Sequence, residues 1–181
     1  MALEKVRDIL KDADARNASV IAFDAMDYPT ISSAIYGAQA GRRPVILMLY
    51  PSMYRLIPLE AFAAMVRSLA ATVSVPVGLH LDHSSDFSYI LRAIRAGFTS
   101  VMADGSTLPF EENVAFTSSV VAVADAFDVD VEGELGHVGR ATDGDDKKED
   151  QYTTAEEARV FAEQTGVASL AVAIGSAHGF Y

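Results

Sequence analysis

The chain has 181 residues, half of them hydrophobic, which is enough for a single domain with a buried core. A formal net charge of -11 argues against nucleic acid or an anionic membrane as the main partner, because both repel an acidic surface. Cysteine is absent, which excludes disulfides and thiolate chemistry, and no apolar run reaches the roughly 18–20 residues of a membrane-spanning helix.

The first residues, Met1 to Lys5, show no basic segment leading into a long apolar run, so a soluble cytoplasmic protein is expected. Short β-branched runs predict strands at 20–23, 45–49, 75–81, 100–103, 129–134 and 169–174. Leu59, Phe62, Met65, Val66 and Leu69 recur at helical spacing after the second strand. Phe87, Ile90, Leu91 and Ile94 do the same after the third, and Gly97 marks the C-terminal stop of that helix. Pro109 stands where a first helical turn tolerates proline. Thr153-Thr154-Ala155-Glu156-Glu157 offers a capping box in either of two registers, ahead of Ala158, Phe161 and Ala162. The charged run from Asp143 to Asp150 predicts a solvated loop, and its spacing is not that of a calcium-binding loop.

Strands apolar on both faces, alternating with helices, predict βαβ units around a parallel sheet. No glycine-rich turn follows the first strand, as a dinucleotide-binding sheet would require. Successive strand ends all carry polar chemistry, which favours the (β/α)8 barrel. Six strands are two short of a closed barrel. The expectation is therefore one domain over residues 1–181 holding about the first six βα units, truncated after the sixth strand.

The strand ends supply the candidate site. Asp82 and His83 close the third strand, Asp104 follows the fourth, Glu132 and Glu134 lie on the fifth, and His178 follows the sixth. In parallel α/β barrels the carboxyl ends of the strands converge on one face, so these groups should meet there. Plainer roles compete with metal binding and proton transfer. Asp82 could cap the next helix, His83 and His178 could be structural, Asp104 could be a turn residue, and Glu134 could be a surface acid. His80 is expected to pack in its strand and His137 to sit in a loop. Glu132 stands between packing and the site.

Asp82-His83, the run Ser100 to Ser106, the run Leu108 to Asn113, the run Val131 to Gly136 and the run Ala173 to Gly179 together resemble the class II, metal-dependent ketose-bisphosphate aldolases, which include the fructose- and tagatose-bisphosphate enzymes. The resemblance implies a (β/α)8 barrel, a catalytic zinc, and reversible aldol cleavage of a phosphorylated ketose to dihydroxyacetone phosphate and an aldehyde. Residue by residue, it makes His83 and His178 zinc ligands and Asp82 the acid/base acting on the hydroxyl or aldehyde oxygen. Asp104 and Glu134 match a second or alternative metal position, open to a divalent or monovalent cation. Gly179 matches a backbone contact to the dihydroxyacetone phosphate half. A small phosphorylated sugar is the expected partner, and a homo-oligomer the expected assembly.

The chemistry agrees with this resemblance. Aldol cleavage needs an electron sink beside a developing oxyanion. The four lysines, Lys5, Lys11, Lys147 and Lys148, lie in the first helix or the charged loop, not at a strand end. A Lewis-acid metal is the remaining protein-bound route, and imidazole suits zinc. The chain also departs from the family pattern. It has no position for the third zinc histidine or for the phosphate-binding segments after strands seven and eight, so these 181 residues alone are expected not to turn over substrate. Asp24 replaces the usual Asn, Tyr50 replaces a small hydroxyl residue near the aldehyde half, and Arg140 replaces a glycine. Two other functions remain open: a non-catalytic aldolase-like subunit, and a metal-dependent hydrolase barrel.

Overall fold

The computed structural model describes residues 3–136 and 152–175. His137, Gly139, Arg140, the charged run 143–150, His178 and Gly179 lie outside the described residues. A helix α1 (Val6–Ala15) precedes five strand-helix units and a sixth strand. The strands are β1 (Ile21–Asp24), β2 (Val45–Leu49), β3 (Val77–Ser84), β4 (Ser100–Ala103), β5 (Asp130–Leu135) and β6 (Ser169–Val172). They alternate with α2 (Tyr28–Gly41), α3 (Leu59–Ala70), α4 (Phe87–Ala96), α5 (Phe110–Ala126) and α6 (Ala155–Thr165). A short 3₁₀ helix at Pro51–Arg55 follows β2.

All neighbouring strands pair in parallel, in the sequential order β1 to β6. Strands in sequence order with a helix between each pair form an arc of a (β/α)8 barrel, as the alternation predicts. The helix ends follow from the sequence. Asp86 caps α4 by accepting from the amides of Ser88 and Tyr89, and Gly97 ends it at φ 88°. Of the two capping-box registers before α6, the chain uses Thr154 with Glu157. Pro109 falls one place earlier than expected, as the N-cap of α5.

Alternation divides the sheet into two faces. Leu47, Leu49, Leu79, Leu81, Val101, Ala103 and Val131 pack with helix residues such as Phe62, Val66, Ile90 and Val120 in the main core. The intervening residues face the barrel interior. Near the amino ends of the strands that interior is filled by α1, whose Val6, Ile9 and Ala13 are buried. Gly78 makes this possible: a Cβ there would lie 2.9 Å from Val6 Cγ2 and 3.3 Å from Ile46 Cγ1. The Arg7 backbone N–H donates to Asp130 Oδ2, tying α1 to the floor of β5. The carboxyl end of the barrel carries the polar side chains instead. Ile21 and Phe23 on β1, and Val172 and Ile174 at the end of β6, are exposed at the two edges of the arc.

Candidate metal centre

The strand ends place the site through one irregularity. β3 runs three residues further than expected, to Ser84, and its register with β4 shifts between Leu81 and Ser84. His83 sits inside that bulge with φ 39°. In a regular strand Asp82 and His83 would face opposite sides. The left-handed residue turns the chain so that both reach the rim, and the surrounding structure must offset the strain of a non-glycine residue in this conformation.

His83 Nδ1 lies 3.0 Å from Asp104 Oδ2 and 3.0 Å from Glu134 Oε2. One N–H serves Asp104 by a hydrogen bond, while buried Glu134 Oε2 has the ion-pair contact but no aligned hydrogen bond. The two acidic partners hold the imidazole proton and raise the His83 pKa to about 11, with the Asp104 contact the larger cause and Glu134 the second. Burial opposes ionisation of Asp104, yet hydrogen bonds from His83 and from the Ser106 hydroxyl and amide bring its carboxyl down to about 2. The Asp104 turn role and its contact with His83 therefore coexist.

Asp82 is 9% exposed, with its Oδ1 4.0 Å from His83 Nε2. Burial, together with the charges of Asp24, Glu134 and Asp104, pushes its carboxyl up to about 6 despite the opposing pull of His83. It does not cap the following helix, because Asp86 does so. Glu134 is 3% exposed, so it is no surface acid. One layer deeper, buried His80 places Nδ1 2.9 Å from Ser100 Oγ and Nε2 3.5 Å from Glu132 Oε2. Burial, with the charge of His83 adding to it, lowers His80 to about 3; burial first, then Asp82, raises Glu132 to about 7.

Several contributors carried no assigned role in the sequence reading. Asp24, a departure from the family pattern, acts on Asp82 through its charge. Asn113 is buried on α5, donates from Nδ2 to the Glu134 carbonyl and accepts from Thr117, which fixes the end of β5. An asparagine on the inner face of a helix otherwise lined by Thr117, Val120 and Ala124 was the available signal. Tyr50 sets its ring edge-on to His83, with centroids 6.0 Å apart.

His83, Asp104 and Glu134 bring one ligand atom each to within 4.8 Å of one another. An imidazole with two carboxylates is a donor set for a divalent ion, and the unsatisfied buried Glu134 oxygen gives that ion a further reason to bind. The residues present fit a metal.

Such a group at the carboxyl rim of a parallel (β/α)8 barrel arc is a candidate metal site in the place where this class of fold carries its functional groups. The sequence profile of class II fructose-bisphosphate aldolase matches residues 4–181, and the chain belongs to that family. It is 40% identical over 177 residues to the GatY subunit of D-tagatose-1,6-bisphosphate aldolase from Klebsiella oxytoca, covering 97% of this chain and 62% of that protein. The YdjI aldolase of Escherichia coli K12 matches its structure with a TM-score of 0.87 at 31% identity, over 99% of this chain and 63% of that one. A fructose-bisphosphate aldolase from Campylobacter jejuni matches with a TM-score of 0.84 at 25% identity, over 99% and 60% respectively. The chain thus spans less than two thirds of the length of these relatives.

Proposed function

We propose that the protein catalyses metal-dependent aldol cleavage and condensation of a phosphorylated ketose, with dihydroxyacetone phosphate and an aldehyde as the other reactants. The supporting observation is the meeting of His83, Asp104 and Glu134 beside Asp82, at the carboxyl rim of a class II aldolase barrel. Zinc is the proposed ion. Held by His83 and the two carboxylates, with His178 in the role the family resemblance gives it, it would supply Lewis-acid polarisation of the ketone oxygen.

The remaining work belongs to side chains. Asp82, as the carboxylate, takes the proton of the hydroxyl whose carbon–carbon bond breaks, and in condensation returns it to the aldehyde oxygen. Burial makes Asp82 a stronger base than an ordinary aspartate and keeps its protonation within reach of neutral pH. Asn113 and Ser106 hold the Glu134 and Asp104 backbones and side chains in place. Gly179 would contact the dihydroxyacetone phosphate half. The cytoplasm, where charged sugar phosphates are retained, is the compartment this reading requires.

The test is cleavage of tagatose and fructose 1,6-bisphosphates by the zinc-loaded chain joined to the remaining barrel units of a relative, read by coupled reduction of dihydroxyacetone phosphate, with the 181 residues alone expected to show no appreciable turnover. Zinc-dependent turnover that is lost in His83→Gln and Asp82→Asn is expected. Cleavage unaffected by chelation, or hydrolysis without breakage of a carbon–carbon bond, would overturn the proposal.

A further inference from the structure

His80 and Glu132 sit one layer below the candidate metal centre, on the same two strands that carry His83 and Glu134, and the proposed reaction gives them no work. β3 keeps a regular register with β4 as far as His80 opposite Ser100 and Leu81 opposite Val101, and loses it between Leu81 and Ser84. Inside the bulge the ladder offers little hold. The His83 backbone N–H meets Met102 Sδ at 3.3 Å, and a thioether is a weak acceptor. Pairing resumes where Ser84 opposes Ala103, and Asp104 N donates to Ser84 O at 3.0 Å. The place of His83 is therefore set by whatever fixes the two ends of the bulge.

His80 stands at the lower end and is 2% exposed. Its Nδ1 lies 2.9 Å from Oγ of Ser100 on β4, and its Nε2 lies 3.5 Å from Oε2 of Glu132 on β5. Neighbouring strands are roughly 4.8 Å apart, so this one ring bridges three of them. Nε2 is buried without a hydrogen bond, which leaves the Glu132 contact to offset its loss of water. A carboxylate opposite Nε2 favours the ring proton there, with Nδ1 accepting from the Ser100 hydroxyl. One layer up, His83 and Glu134 repeat the link between β3 and β5 at 3.0 Å.

We infer that His80 is a positioning residue: held between Ser100 and Glu132, its ring pins β3 to β5 at the foot of the bulge and so fixes the separation of His83 from Glu134 that a metal ion requires. The inference rests on the metal reading of His83, Asp104 and Glu134 for the ion, and not on the aldol reaction. Glu132 then serves the site through packing, without itself holding the ion.

The experiment uses side chains that each keep one end of the imidazole. Glutamine can bring an amide to the Nε2 position, and asparagine to the Nδ1 position. In the 181-residue chain, His80→Gln and His80→Asn are compared with the unaltered protein by three measurements. These are zinc affinity against a competing chelator, the visible spectrum of the cobalt(II) form, and the His83 Nδ1–H proton resonance without metal. His80→Asn should weaken zinc binding about ten- to a hundred-fold, alter the cobalt spectrum and move the His83 resonance, whereas His80→Gln should restore all three. Ser100→Ala releases the other end of the ring with little change in volume; it should act in the same direction, and it decides the matter if His80→Asn does not fold. Lower stability with zinc affinity, cobalt spectrum and His83 resonance all unchanged would make His80 merely structural and overturn the inference, as would equal weakening by the two His80 variants. If the unaltered chain binds neither ion while the His83 resonance still moves in His80→Asn alone, the metal reading falls and the positioning role stands.

Discussion

Zinc uptake should expel close to one proton from His83. Without metal the imidazole is paired with two carboxylates at 3.0 Å, and its pKa is raised to about 11. It is therefore charged throughout the neutral range, whereas a metal ligand must offer a free lone pair. Each pH unit below about 11 then lowers apparent zinc affinity about ten-fold, so affinity should rise about a hundred-fold from pH 6 to pH 8. The assay is calorimetric titration in two non-chelating buffers of different ionisation enthalpy, with a competing chelator to fix affinity. His83→Gln should abolish both the proton release and the slope. Affinity that is flat across this window, with no buffer-dependent heat, would refute the ion-paired state of His83. The same pairing sets the pH behaviour of the metal-free protein. A raised folded-state pKa contributes stability fully below about 6.5, and that contribution is lost only as pH climbs through about 11.

Asp82 runs the other way. Its folded pKa is raised from 3.8 to about 6, so the metal-free protein should lose stability as pH rises between those values, by at most about 3 kcal/mol. Asp82→Asn should abolish that loss in denaturant titrations and, in the chain joined to the remaining barrel units of a relative, lower cleavage about 10²–10⁴-fold while zinc content is retained; a fall in zinc content of the same size as the fall in activity would show Asp82 to be a ligand instead. Gly78→Ala should drive a methyl group into Val6 and Ile46, cost about 1–3 kcal/mol, and lower the melting temperature by several degrees with zinc affinity unchanged. An unchanged melting temperature would mean that α1 yields freely.

The strands and helices were readable because their signals are local. β-branched runs, helical spacing and the Gly97 stop depend on neighbours in sequence, and the strands at 45–49 and 100–103 fall where expected. The extension of β3 was not readable, because polar Asp82, His83 and Ser84 look like a loop until β4 is beside them to pair with. The choice of Asp86 over Asp82 as the α4 cap follows from the same extension. Asp82, His83, Asp104 and Glu134 could be picked out as strand-end groups with metal or proton chemistry. What sequence could not give is which atoms meet: the pairing of His80 with Glu132, the charge of Asp24 on Asp82, and the grip of Asn113 on β5 all join positions distant along the chain.

The bulge in β3 has a consequence for how position 83 tolerates change. Strict alternation would push this side chain into the oily layer between sheet and helices, beside Leu81; one irregular residue instead lets two consecutive amino acids serve a single opening. Backbone shape and chemistry are therefore separate demands on that residue. Glycine or asparagine, at ease with a positive φ, should fold there without restoring the imidazole, whereas valine or isoleucine should fail on shape before chemistry is ever consulted.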